Sequence, residues 1–217
     1  IGSEGALAFV AEVTMRSVVK LDCKASSMVY FPDIVTACKA VVALKQGPVD
    51  SAELLDRLSL KAVEDKEGIP AFIKEFDATT TALLLETMGT DYDVVEKNIV
   101  EIKKILADFP TVRPVEFTSD PQENEQLWNI RKQVFPAVGG MRKIGTTCLI
   151  EDVAYHMETL PDATRELQDI MARFGYDDAV IYGHAFEGNF HFIFNQDFSD
   201  PKEVERYEAM MKAVIDM

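Results

Sequence analysis

The chain has 217 residues, a formal net charge of −15, a pI near 4.6 and 47% hydrophobic residues, which suits one large domain or two small ones with a real core. The acidic charge argues against nucleic acid and anionic membrane surfaces as partners, and no apolar run reaches the ~20 residues of a membrane span. Three cysteines, Cys23, Cys38 and Cys148, show no C-x-x-C spacing. We therefore expect a reducing, cytoplasmic compartment, without a disulfide framework or a cysteine-built metal site.

The first half of the chain alternates predicted strands and helices. Alternating apolar residues predict a strand in "ALAFVAEVTMRSVV" (6–19), and "SSMVYF" (26–31) predicts a second one. A helix is predicted to begin at Pro32, with apolar residues at helical spacing, namely Ile34, Ala37, Val41 and Leu44. Residues 51–66 fit either a strand or a helix, and we interpret them as a strand followed by a helix. A strand in 79–89 and an amphipathic helix in 91–109 follow.

The second half begins with a predicted strand, "RPVEFT" (113–118), and a clear helix start signal. Asp120 is an N-cap residue, Pro121 suits the first helical position, and Glu123 completes a capping box. This helix is expected to end at Pro136, and the two adjacent glycines in 137–147 predict a loop. The remaining predicted elements are a strand in 148–156, a helix in 162–174, a hairpin in 180–195 and a last helix in 203–217.

This order of elements predicts the fold class. Strands alternate with one or two helices twice over, in the split βαβ manner. We therefore predict an α+β fold in which an antiparallel sheet is built from two ferredoxin-like halves, with helices packed mainly on one face. Residue 1 is not Met, and the last helical pattern has no C-cap signal, so we expect a fragment of a longer chain.

The hairpin "YGHAFEGNFHF" (182–192) contains two of the three histidines in the chain. A two-residue turn at Glu187-Gly188 would place His184 directly opposite His191, with Cβ atoms roughly 4.5–5.5 Å apart on one face. Tyr182, Phe186, Asn189 and Ile193 are predicted to share that face. Two imidazoles at this separation can share a metal ion, but the same pattern also fits a half-buried hairpin whose histidines bond to neighbours or water.

Two other segments are chemically informative. Gly2-Ser3-Glu4-Gly5 permits tight turns and close approach of the backbone to a ligand, although an ordinary loop has the same pattern. Arg131 lies on the apolar side of its helix, where it either packs its stem on the core or clamps a carboxylate. Arg142 and Lys143 add positive charge in a glycine-containing loop, which equally suits a solvated loop.

Together these segments resemble the FAD-linked D-2-hydroxy-acid dehydrogenases, the group of glycolate oxidase, D-lactate dehydrogenase and D-2-hydroxyglutarate dehydrogenase. "IGSEGALAFVAEVTMR" is similar to the end of their flavin-binding domain, "LWNIRK" to a W-x-x-R helix, and "GHAFEGNFH" to a G-H-x-x-x-G-N-x-H hairpin. The sequence of residues 130–156 is similar to that of long family members with a downstream iron–sulfur domain. The resemblance implies the end of an FAD-binding domain and its connecting strand in 1–20, and a substrate (cap) domain, truncated at its C-terminus, in 21–217.

The resemblance also implies roles for particular residues. Gly2, Ser3, Glu4 and Gly5 would line the FAD site, and Arg131, with Lys143 and Asn189, would bind the substrate. His184 and His191 would hold a divalent metal, zinc or manganese, that acts as a Lewis acid on the substrate hydroxyl. A third metal ligand and the histidine base are expected beyond residue 217, so the isolated chain is expected to be inactive.

The implied reaction is the oxidation of a D-2-hydroxy acid to its 2-oxo acid, with electrons leaving through an iron–sulfur centre or a membrane carrier. Implied partners are the remaining FAD-binding domain, the missing C-terminal segment and a second copy in a homodimer. The hairpin departs from the usual G-D-G-N-L-H at Glu187 and Phe190, and Ile193 stands where some members have asparagine. Two alternatives stay open: a free-standing ferredoxin-like ligand-binding or assembly module, and a flavin oxidase for a non-acid alcohol.

Overall fold

A computed structural model describes residues 5–217. Its centre is a six-stranded sheet, antiparallel throughout, with the strand order β1-β3-β2-β5-β6-β4. The strands in chain order are β1 Cys23–Phe31, β2 Ser51–Leu55, β3 Thr81–Gly89, β4 Thr147–Ala154, β5 Val180–His184 and β6 Asn189–Gln196. This α+β architecture with an antiparallel sheet confirms the predicted fold class.

The sheet consists of two halves with the same internal order. In β1-β3-β2 and again in β4-β6-β5, the third strand of each half lies between the first and the second. The halves meet where β2 pairs antiparallel with β5, so the second strands of both halves form the centre of the sheet. This arrangement matches the two split βαβ units predicted from element order.

In the described part of the chain, six α-helices cover the sheet: α1 Ile34–Leu44, α2 Arg57–Val63, α3 Tyr92–Leu106, α4 Pro121–Met141, α5 Leu160–Arg173 and α6 Pro201–Asp216. Helices α1, α3, α5 and α6 pack on one face around Phe31, Leu54 and Phe192. Helices α2 and α4, with a 3-10 turn at Ala71–Glu75, pack on the other face around Tyr30 and Leu84. Most helices thus lie on one face, as predicted, and the face under α4 is the one that matters for the candidate site.

Five of the six helices begin after an aspartate whose side chain accepts a hydrogen bond from the first turn. These N-cap residues are Asp33, Asp56, Asp91, Asp120 and Asp200. Each carboxylate accepts from a backbone N–H that has no partner inside the helix, an exchange worth about 1 kcal/mol per cap. The local sequence therefore defines the helix starts well.

Two predicted strands are wrong. Residues 8–22 have no regular secondary structure, and the alternating side chains there stay exposed, with Phe9 92% and Val18 90% accessible. A strand needs a neighbour for its backbone groups, and no described residue supplies one here. Residues 113–118 run beside β1 but form only one isolated bridge, between Thr118 and Ser26.

The predicted end of α4 is also wrong. The helix continues through Pro136 and both glycines of the predicted loop to Met141, and the loop is confined to residues 142–146. Three side chains in this part of the helix are buried against the sheet: Val134, Ala137 and Val138. Their burial offsets the free-energy cost of the backbone hydrogen bond that Pro136 removes. Packing therefore overrides the local stop signal.

Candidate active site on the sheet face below helix α4

The hairpin β5–β6 brings His184 and His191 together on one face of the sheet. The ring centroids lie 5.4 Å apart, and the rings meet edge to face at 84°. The predicted register is wrong by two residues, because His184 pairs with Asn189 and Tyr182 pairs with His191. A register shift of two residues leaves every strand side chain on the same face of the sheet. The imidazoles therefore still meet, now as diagonal neighbours.

The turn between these strands differs from the predicted two-residue turn. Residues 185–187 form a short 3-10 turn and Gly188 adopts a left-handed conformation with φ +61°. Phe186 belongs to this turn and packs into the opposite core, so it does not share the histidine face as predicted. The Gly188 carbonyl accepts from Tyr155 N–H at 3.0 Å, and Lys45 donates to the Phe186 carbonyl at 2.8 Å. The turn is thus fixed by residues from outside the hairpin.

A buried glutamate contacts both His184 and Arg131, the arginine that is predicted to bind the substrate. Glu53 on β2 is paired with His184 across the seam of the two halves, and its side chain is 8% exposed. Its Oε1 lies 2.6 Å from His184 Nδ1, and its Oε2 accepts from Arg131 Nε at 2.7 Å. One carboxylate therefore contacts both residues.

Arg131 reaches this point from α4 and lies over an aromatic ring. Its guanidinium carbon is 4.5 Å from the centroid of Tyr182, a separation at which a cation is attracted to the ring face. Tyr182 also contacts His191, with centroids 5.3 Å apart. Burial raises the pKa of the Tyr182 phenol, with Arg131 opposing the rise. The Arg131 guanidinium and the His191 imidazole thus both lie against the ring of Tyr182.

Both histidines present the same ring atom to a carboxylate. His184 Nδ1 faces Glu53, and His191 Nδ1 contacts Asp152 of β4. An ionised carboxylate only accepts, so a neutral imidazole in either position donates Nδ1–H and keeps the lone pair on Nε2. Histidines that bind metals usually donate their other N–H to a carboxylate in this manner.

The donor set for a metal is incomplete within residues 5–217. The described residues contain no group of three or more His, Cys, Asp or Glu side chains that could hold an ion. His184 and His191 would supply two nitrogen ligands, and their carboxylate partners fit the pattern expected around a metal. The pair is open to water on one side, since the His184 side chain is 50% exposed.

Three residues without a predicted role in the site contact the histidines or Arg131: Glu53, Asp152 and Tyr182. A signal existed for Glu53, because it is the one charge in the apolar strand "SAELL". Glu86 in "TALLLETMG" follows the same pattern: it is buried, and it accepts from Trp128 Nε1 at 3.0 Å. The W-x-x-R spacing of α4 thus places Trp128 and Arg131 on two buried glutamates of adjacent strands.

Of the other two predicted substrate residues, Asn189 pairs with His184 and so lies beside the histidine pair, whereas Lys143 lies apart from it. Lys143 borders a cavity of about 560 Å³ with Asn195, which is four residues beyond His191 and so about 13 Å further along β6. Asn189 donates its side-chain amide to the Val153 carbonyl at 3.1 Å, which ties β6 to β4. Their binding of substrate remains a prediction.

The predicted flavin loop is mostly outside the described residues. Gly2, Ser3 and Glu4 are not described, and Gly5 is an exposed turn residue with φ +80°. Among residues 5–217, none of the helices is long and apolar enough to cross a bilayer.

Comparison with known proteins identifies relatives for this arrangement. Residues 22–217 match the family model described as FAD linked oxidases, C-terminal domain. The glycolate oxidase subunit GlcD of Bacillus subtilis is 26% identical over 222 residues, covering 100% of this chain and 44% of that protein. The mitochondrial D-lactate dehydrogenase (cytochrome) of Kluyveromyces lactis is 27% identical over 222 residues, covering 100% and 38%. The chain thus spans less than half the length of these curated relatives.

Solved structures share the fold. The 4-ethylphenol oxidase from Gulosibacter chungangensis, solved with isoeugenol, superposes with a TM-score of 0.60 at 15% identity, covering 90% of this chain and 44% of that one. An alkyldihydroxyacetonephosphate synthase gives a TM-score of 0.59 at 12% identity, covering 89% and 40%. At these identities the likeness shows the fold alone.

Proposed function

This chain belongs to the FAD-linked oxidases through their C-terminal domain, and we propose that it is the substrate-binding domain of an FAD-dependent dehydrogenase that oxidises a D-2-hydroxy acid to the 2-oxo acid. The relatives matched over the whole chain, a glycolate oxidase subunit and a D-lactate dehydrogenase, support a small hydroxy acid as substrate. In this proposal the chain works with an FAD-binding domain in a cytoplasmic protein, which reaches a membrane only through its electron acceptor. An iron–sulfur centre in a separate domain is one acceptor within the same proposal.

The observation that supports this function most is the contact set around Tyr182. Arg131 lies on its ring, the His191 ring packs against it with centroids 5.3 Å apart, and Glu53 bonds to both Arg131 and His184. A 2-hydroxy acid has a carboxylate and a hydroxyl on adjacent carbons, so its binding site needs a cation beside a group that acts on the hydroxyl. Arg131 and the imidazole pair match these two demands.

Each group would have a separate task. Arg131 would bind the substrate carboxylate through Nη1 and Nη2, because its Nε is already bonded to Glu53. His184 and His191 would hold a divalent cation through Nε2, which would supply Lewis-acid polarisation of the substrate hydroxyl. FAD would supply the hydride acceptor, with Gly2, Ser3, Glu4 and Gly5 lining its site. Tyr182 would fix the guanidinium plane and hold the carboxylate end of the substrate in one orientation.

One observation favours a second candidate function. Arg131 is already ion-paired with Glu53, so it could act as a structural residue in an enzyme for a neutral alcohol. In that case a substrate carboxylate would gain nothing from Arg131.

Steady-state kinetics of the intact flavoprotein separate the two candidates. Arg131→Ala should lower kcat/KM for glycolate, D-lactate or D-2-hydroxyglutarate by roughly 100-fold or more, and should change kcat/KM for the matching neutral diol far less. Arg142→Ala is the matched control, since Arg142 is exposed and caps the Gly139 carbonyl at 2.7 Å. Equal losses for acid and neutral substrates would contradict the hydroxy-acid proposal.

A further inference from the structure

The carboxylate of Glu53 is shared between two donors that belong to different parts of the fold. His184 is on the paired strand β5, and Arg131 comes from α4, 78 residues later in the chain than Glu53. Asp152, which contacts His191, has a side chain 66% exposed and forms no ion pair with a lysine or arginine among residues 5–217. Glu53, at 8% exposed, is therefore the partner whose position is fixed from both sides.

Glu53 needs both carboxylate oxygens as acceptors, because it faces two donors. Arg131 Nε–H always donates, because a guanidinium keeps its proton in proteins. His184 Nδ1 lies 2.6 Å from the other oxygen and must also find an acceptor if it carries the ring proton. A carboxylate satisfies both donors at once, whereas an amide has one acceptor and one donor.

We propose that Glu53 is a positioning residue for both halves of the site, an inference that rests on the proposed function. By accepting Nδ1–H it holds His184 in the tautomer whose Nε2 lone pair is free for a divalent cation. By accepting Nε–H it turns the Nη1 and Nη2 edge of Arg131 toward the substrate carboxylate. The buried side chain of Glu53 then sets the distance between His184, which binds the metal, and Arg131, which binds the substrate carboxylate.

Glu53→Gln tests this directly, because it keeps the side-chain shape. The amide oxygen is expected to face Arg131, since that donor cannot change, and the amide N–H₂ then faces His184. His184 responds by moving its proton to Nε2, which removes the lone pair needed for a metal. Nitrogen NMR of the metal-free 217-residue chain, at a pH where imidazole is neutral, should show His184 passing from mostly Nδ1–H to mostly Nε2–H, with His191 unchanged.

A double variant keeps the test decisive if Glu53→Gln folds poorly. Glu53→Gln with Arg131→Met removes both charges, so no buried ion is left unpaired. The amide oxygen is then free to accept from His184, and the Nδ1–H tautomer should return. Glu86→Gln is the matched control, because Glu86 is a buried glutamate on the same sheet face that bonds to Lys24, Ser26 and Trp128. It should leave the His184 tautomer unchanged.

Zinc titration of the intact flavoprotein gives the second readout. Glu53→Gln should raise the dissociation constant for zinc by roughly 10- to 100-fold, as for other carboxylates behind a metal-binding histidine. A His184 tautomer that Glu53→Gln leaves unchanged, or that does not return to Nδ1–H in the double variant, would overturn the proposal. A wild-type flavoprotein that binds no zinc would instead count against the proposed metal role of the histidine pair, while the tautomer would still decide the role of Glu53.

Discussion

Arg131 Nε donates to Glu53 Oε2 at 2.7 Å, and both side chains are largely buried, 16% and 8% exposed. A buried charge that loses its partner costs several kcal/mol, whereas replacing both partners with apolar groups can be nearly neutral. The site and the stability of the sheet therefore share one interaction, and substitutions at either residue affect both.

A double-mutant cycle should show this coupling. Arg131→Met and Glu53→Leu are each expected to lower the free energy of unfolding by about 3 kcal/mol, and the double variant by clearly less than the sum, with coupling of about 2 kcal/mol or more. Urea denaturation of the chain measures each value. The exposed pair Lys212–Asp216 serves as the control, with coupling of about 0.5 kcal/mol or less. Additive effects at Arg131 and Glu53 would show that the contact adds nothing to stability.

The histidine hairpin should depend on Gly188. Its φ of +61° disfavours any residue with a Cβ, and a Cβ built there would collide with the Tyr155 carbonyl oxygen. Gly188→Ala is therefore expected to destabilise the chain by about 2 kcal/mol or more. Gly140→Ala, in helix α4 with open space around its Cβ, should instead stabilise it by about 0.5–1 kcal/mol. Thermal unfolding compares the two, and similar melting temperatures for both variants would refute this view of the turn.

The stability should respond to pH through Asp56. Burial raises the pKa of this N-cap carboxyl from 3.8 to about 6, although hydrogen bonds from Ser59 and Ile181 oppose the rise. The folded state therefore binds more protons than the unfolded state between pH ~4 and ~6, so the contribution of Asp56 to stability falls as pH rises through this window, by up to about 3 kcal/mol.

Comparison with Asp56→Asn isolates this effect. The stability of the wild type relative to that variant should decline between pH ~4 and ~6 in urea denaturation, and a constant difference would contradict the raised pKa. The exposed N-cap Asp91 provides a control of opposite sign. Hydrogen bonding to Val94 N–H lowers its pKa, so its contribution is lost as pH falls below its ordinary range.

Much of the fold was predictable because its signals are local. Apolar periodicity predicted most helices, the Asp120 cap marked the start of α4, and β-prone runs such as 79–89 predicted most strands. The wrong predictions concern segments whose structure depends on distant residues. Residues 6–19 have alternating apolar side chains but no neighbouring strand in the described part of the chain, and α4 continues past Pro136 because its C-terminal part is buried against the sheet. Packing decides such cases, and packing is not visible in a local pattern.

The site was predictable in part for a similar reason. The spacing of His184 and His191 placed both on one face, and a register shift of two residues left that facing intact. Glu53 stands out as a charge in an apolar strand, but its contacts could not be predicted, because they depend on the pairing of β2 with β5, two strands far apart in sequence. The partner of His184 is decided by the sheet topology, because it lies on a strand of the other half.

The most direct measurement is anomalous diffraction from crystals of the intact flavoprotein loaded with zinc or manganese. We expect one peak about 2.0–2.2 Å from the Nε2 atoms of both His184 and His191, with their Nδ1 atoms still bonded to Glu53 and Asp152. A peak bound to neither ring, or one reached through Nδ1 after those carboxylates have moved away, would contradict the proposed site.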